Sequence, residues 1–169
     1  MKNITSKNIA FTAIFAAIGI LFGTILLIPT PVPNVYLDLS HIGTVLSAML
    51  LGPVFGGITG FIVGIWPGIT FGNFFVPPFK ALTGILIEIL SKKTRTGVAV
   101  FVGYLPEAFL TYLTLAVLKI SYGLPLPVIY TILLKAFAEL IILAVLMEII
   151  MRNKGIKRFL ESKVGFLYL

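Results

Sequence analysis

The chain has 169 residues, of which 59% are hydrophobic and only 11% charged. A soluble domain carries about a quarter charged residues, so a water-soluble globule is excluded and a polytopic helical membrane protein is expected. The formal net charge of +7 and the absence of cysteine do not point to nucleic acid, a disulfide scaffold or a thiolate metal site.

Span 1 covers 9–28 and carries no ionisable group. Ala13 and Ala17 on it form a small-x3-small pair, a face that needs a close-packed helix partner. Pro29, Pro31 and Pro33 then stop the helix, so Pro29 to Leu37 reads as an ordered extracellular loop. A short helix follows over 38–51, with Asp38 or Ser40 placed either to cap it or to meet a ligand. Gly52-Pro53 breaks it, and a second short helix over 54–66 is expected to end at Pro67-Gly68. Glycines recur at every fourth position from Gly52 to Gly72, which puts those inside the helix on one close-packing face. Pro77-Pro78 opens the fourth helix over 76–91. The fifth covers 97–120 and the sixth 127–151, and Arg152 to Leu169 reads as a basic amphipathic tail on the membrane surface.

Charge placement sets the orientation. Lys2 and Lys7, then Lys92, Lys93 and Arg95, then Arg152 to Lys163 form three basic clusters separated by apolar runs. All three fall on one side only if the chain crosses six times with both termini in the cytoplasm. The fold class expected is therefore an all-α integral membrane protein of six transmembrane helices, 1–169 forming a single substrate-binding domain in the lipid bilayer of a prokaryotic cell membrane.

No phosphate-binding Gly-x4-Gly-Lys-Ser/Thr motif, paired-histidine metal motif or serine–histidine arrangement is present, so neither an enzyme nor a cofactor is expected. The informative residues are charges inside apolar helices, because each is expensive there and needs a partner or a cavity. At ~1.5 Å per residue, Lys80 lies roughly 10 Å and Lys135 roughly 14 Å below the outer ends of their helices, with Glu107 and Glu139 roughly 20 Å down. Tyr104, Glu107 and Thr111 share a face of helix 5, as do Thr131, Lys135 and Glu139 on helix 6. Such facing stripes suit a solute pocket and equally a buried ion-pair network. Glu88 and Glu148 fall toward the cytoplasmic ends and read as structural. Asn34, Tyr36, Asp38 and His41 cluster at the first loop, and Trp66, Phe71, Asn73, Phe74 and Phe75 at the third. Aromatics there serve as an interfacial belt or as the lining for a planar ligand.

Six short helices, cytoplasmic termini, the Ala13/Ala17 pair and a capped first loop resemble the substrate-binding S components of energy-coupling factor (ECF) vitamin transporters. Leu37-Asp38-Leu39-Ser40, Leu51-Gly52-Pro53 and Pro78-Phe79-Lys80-Ala81-Leu82-Thr83-Gly84 fit in the same order. The resemblance implies a bundle that captures a vitamin or vitamin precursor from outside. It then docks, through Ala13 and Ala17, on a transmembrane coupling protein driven by two cytosolic ATPase subunits. It also implies a ligand among helices 4 to 6 and the first and third loops, in agreement with the pocket read from charge depth, whose candidate binding residues are Asn34, Tyr36, Asp38, Trp66, Phe71, Asn73, Phe74, Lys80, Glu107, Thr111, Thr131, Lys135 and Glu139. Leu-Asp-Leu-Ser is similar to the helix-2 start of riboflavin binders, whose following acidic residue and proline are His41 and Gly43 here. Pantothenate, with a carboxylate for Lys80 or Lys135, is the other candidate. The competing class is a stand-alone secondary transporter or a channel-forming homo-oligomer. No paired repeat with broken midplane helices is visible, and the polar groups sit on three consecutive helices rather than on one.

Overall fold

The computed structural model describes residues 5–30, 36–120 and 124–155, with Arg158 and Ser162. Asn34 and most of the basic tail beyond Gly155 lie outside the described residues. Among the described residues there are six α-helices: α1 (Ser6–Thr24), α2 (His41–Leu51), α3 (Pro53–Phe71), α4 (Val76–Ser91), α5 (Thr96–Tyr112) and α6 (Leu126–Arg152). A π-helical stretch, Leu113–Val117, extends α5. Four of these elements are long and apolar enough to cross a membrane: α1, α3, α5 with its extension, and α6.

The other two helices are different. With 11 residues, α2 is about 16 Å long, half the roughly 30 Å of a hydrocarbon core. It is buried on nearly every face, with Thr44, Val45, Ser47 and Ala48 fully inaccessible. A helix covered on nearly every side belongs inside the bundle rather than against lipid. Helix α4 carries the buried charges Lys80 and Glu88. The outward side chains of the long helices are large and apolar, among them Ile14, Ile58, Phe109, Leu134 and Val145. That is the surface expected of helices whose solvent is lipid.

Several boundaries move from their expected places, each for a local reason. Helix α1 ends at Thr24 because Ile28–Pro29 (β1) pairs antiparallel with Tyr36–Leu37 (β2), placing Ile28 opposite Leu37. Helix α2 starts at His41, since Asp38 Oδ1 accepts from the Ser40 amide at 3.0 Å and holds the preceding turn. Helix α3 continues through Pro67 to Phe71. A proline forfeits one amide, which packed membrane helices tolerate. The stop comes five residues later at Gly72, whose left-handed φ of 65° closes the helix.

The fourth-residue glycine row packs α3 on its neighbours. A Cβ at Gly60 would sit 2.2 Å from the Lys80 carbonyl oxygen, and one at Gly64 would sit 2.6 Å from Pro77 Cα. Gly84 on α4 returns the contact, 2.3 Å from the Gly56 carbonyl oxygen. The backbones of α3 and α4 are therefore in direct contact, which only glycine permits.

Candidate functional site

The connection ahead of α2 does not stay at the rim of the bundle. The Asp38 amide donates to Glu139 Oε1 on α6. Lys135 Nζ donates to Asp38 Oδ2 at 2.7 Å and to Glu139 Oε1 at 3.1 Å. Asp38, Lys135 and Glu139 thus form one layer of charge joining a loop to α6. Burial works to raise the Asp38 carboxyl, and the ammonium groups of Lys135 and Lys80 overcome it, holding the group well below the usual carboxylate range.

A second centre joins α2, α4 and α5. Lys80 Nζ donates to Ser40 Oγ at 3.0 Å and lies 3.0 Å from His41 Nε2. Ser40 therefore serves as an acceptor for Lys80 and makes no side-chain cap on α2. The Thr83 hydroxyl donates to Glu107 Oε2. His41 Nε2 lies 3.5 Å from Glu107 Oε1. The imidazole packs edge-on against Tyr104, centroids 5.4 Å apart.

Both centres line one cavity of about 80 Å³, enclosed by α3, α4, α5 and α6 with the start of α2. Asp38, Phe71, Lys80, Glu107, Thr111, Lys135 and Glu139 are on its wall. A wider cavity of about 430 Å³ lies beside the β1–β2 ribbon and includes Tyr36 and Trp66. The two share Asp38, Pro67, Phe71 and Lys135, so the Lys135–Asp38 pair stands at the boundary between them.

The remaining expected residues go elsewhere. Asn73 is fully buried and holds the α3–α4 turn. Its Nδ2 donates to Thr114 Oγ1 at 2.9 Å and its Oδ1 accepts from the Phe75 amide at 3.1 Å. Thr131 donates to the Pro127 carbonyl of its own helix at 2.8 Å and lines neither cavity. Phe74 is 80% exposed and faces away from both. Ala13 and Ala17 lie on the exposed side of α1, opposite its buried residues Thr12, Phe15 and Ala16.

Sequence reasoning left His41 and Tyr104 out of the binding set, yet both are on the chamber wall. A signal for each was present. Tyr104 precedes Glu107 by three residues and shares its face. His41 opens the helix that directly follows Asp38.

Helices sheathed in apolar side chains, enclosing a chamber whose wall is charged, define a multi-pass membrane protein with an internal polar site. The chain belongs to the family described as the substrate-specific component of ECF transporters, whose sequence model matches residues 7–159. The family is that of a transporter component rather than an enzyme. The chain is 42% identical over 62 residues to a UPF0397 protein of Streptococcus sanguinis, a match covering 37% of this chain and 34% of that one. To a UPF0397 protein of Lactococcus lactis subsp. cremoris it is 39% identical over 62 residues, with the same coverage of 37% and 34%. A UPF0397 protein of Streptococcus gordonii is 33% identical over 104 residues, 57% of this chain and 53% of that one. The chain thus spans from about a third to half the length of the curated relatives it matches. No solved structure matches it.

Proposed function

We propose that this chain is the substrate-capturing subunit of an ECF-type importer in the prokaryotic cell membrane, taking up a vitamin or vitamin precursor. In this reading it crosses the membrane six times with both termini in the cytoplasm. It binds its solute from outside, in the chamber walled by Asp38, Phe71, Lys80, Glu107, Thr111, Lys135 and Glu139. Tyr36 and Trp66 flank the wider entrance. It then docks through Ala13 and Ala17 on a transmembrane coupling protein powered by two cytosolic ATPases.

The observation that carries the reading is convergence. A loop and four helices (α2, α4, α5 and α6) each send an ionisable side chain to one cavity, an arrangement that suits a polar occupant. The orientation has separate support. Glu148 near the end of α6 accepts from the Gly97 amide at 2.9 Å, which brings Arg152 to the same end of the bundle as Lys92, Lys93 and Arg95. Basic residues gathered at one end mark the cytoplasmic side. The exposed alanine face of α1 supports the docking surface, because small side chains let a second helix approach closely.

Reconstitution with the coupling protein and ATPases tests the proposal, using the small molecule that co-purifies with the chain, identified by mass spectrometry. Ala17→Trp should leave binding of that molecule intact and abolish its ATP-driven uptake. A Lys93→Cys label should react only from the ATPase side. Unimpaired uptake by both Ala13→Trp and Ala17→Trp would remove α1 as the docking face.

A further inference from the structure

The ionisable groups around the chamber are unequal in number. Three carboxylates, Asp38, Glu107 and Glu139, share the wall with two ammonium groups, Lys80 and Lys135. Lys135 is engaged by Asp38 at 2.7 Å and by Glu139 at 3.1 Å. Lys80 is engaged by Ser40 and His41, each at 3.0 Å. An ammonium has no lone pair, so at the Lys80–His41 contact the lysine donates and Nε2 accepts. The imidazole is then neutral, and the nitrogen 3.5 Å from Glu107 Oε1 has no hydrogen to offer it.

Glu107 is left as the odd group. It is 4% exposed, and its Oε2 takes the Thr83 hydroxyl. Among the described residues no lysine or arginine forms an ion pair with it, and Oε1 has no donor. His41 Nδ1, also buried, has no hydrogen-bond partner among them either. A carboxyl group in a membrane bundle is costly without a full set of partners; Lys80 acts on Glu107 only from beyond His41, and a ligand donor could meet the open Oε1 directly.

We propose that the chamber takes a small planar solute bearing a protonated amine or amidine-type nitrogen, whose N–H groups bind Glu107 and whose positive charge completes the balance of the wall. This rests on the substrate-capturing role proposed above and narrows it to a chemical class. An anion would face the three carboxyl groups, and each lysine has already committed two of its three N–H donors to the wall. Phe71 and Tyr104 on the same wall offer ring faces and edges to a flat cation. The inner cavity of about 80 Å³ suits a compact cationic head. Any longer body would extend past Phe71 into the cavity of about 430 Å³.

Three probes of matched size and different charge separate the possibilities: benzamidinium, benzamide and benzoate. Calorimetric titration of each into the full chain in lipid nanodiscs should show binding of benzamidinium and none of benzoate at millimolar concentration. Glu107→Gln keeps the shape and removes the charge, and should weaken benzamidinium about 10-fold or more, the loss of one charge-assisted hydrogen bond. Benzamide or benzoate binding as well as benzamidinium, no benzamidinium binding at millimolar concentration, or an unchanged affinity in Glu107→Gln would each overturn the proposal. The wild-type series stands alone if the variant fails to fold. Co-purification of wild type with the coupling protein and ATPases reports separately on the importer role, which survives if only the probe series fails.

Discussion

The charged pairs of this bundle come in two kinds, one at each end. Toward the end shared by Lys93 and Gly97, Glu88 pairs with Lys92 at 3.0 Å and Glu148 with Arg152 at 2.9 Å, each four residues apart on a single helix. Around the chamber, apart from Lys135–Glu139 on one turn of α6, the partners are far apart in the chain. Lys135 reaches Asp38 across 97 residues, and Lys80 reaches Ser40 across 40. A pair on one turn stabilises the helix that carries it and says little about the neighbours. A pair across helices fixes their relative position, and once desolvated it costs much more to break from one side. The two ends therefore differ in what a substitution should do.

The largest effect is expected for Lys135→Met, which keeps most of the side-chain volume and strands Asp38 and Glu139 side by side. Removing one partner of a buried pair costs about 3–5 kcal/mol. Chemical denaturation of the purified protein should register that loss, and Glu139→Gln added to it should restore part. A Lys135→Met protein as stable as wild type would place the triad in the same category as the helix-end pairs. A smaller loss, about 1.5–3 kcal/mol, is expected of Thr83→Val, which takes from Glu107 its hydroxyl donor. Stability unchanged in that variant would mean that the carboxylate is held by water or is itself protonated. The smallest change belongs to Arg152→Ala. Its side chain is 67% exposed, so screening leaves no more than about 0.5 kcal/mol, with added salt reducing even that. A loss as large as that of Thr83→Val would erase the contrast between the ends.

What the sequence discloses follows the range of each interaction. The helices and their order were legible, because apolar runs and proline or glycine punctuation are local. So was the Lys135–Glu139 pair, which is set by helix periodicity alone. The Asp38–Lys135 and Lys80–Ser40 contacts were not, since nothing local records which turn of a distant helix a loop will meet. Pro67 illustrates a different difficulty. Read alone it ends a helix, but the bundle around it carries α3 on to Phe71. Phe74 and Asn73 show a third. Composition placed both near a ligand, whereas the αL turn at Gly72 sends Asn73 inward as a brace for the turn and leaves Phe74 outside. Along the chamber wall, Glu107 and Thr111 followed from spacing, whereas the signal for His41 was its place directly after Asp38, since one histidine creates no periodic pattern.

The direct backbone contact between α3 and α4 has a mechanical meaning. Gly60 and Gly84 leave no compressible side-chain layer between the two helices. Close-packed interiors transmit strain rather than absorb it. A displacement of α4 at Lys80 is therefore passed to α3 without slack, and the two travel together like paired rails. The joint between α6 and the segment ahead of α2 is of another kind: there Lys135 and Glu139 reach Asp38 through long side chains, with no backbone-to-backbone seat.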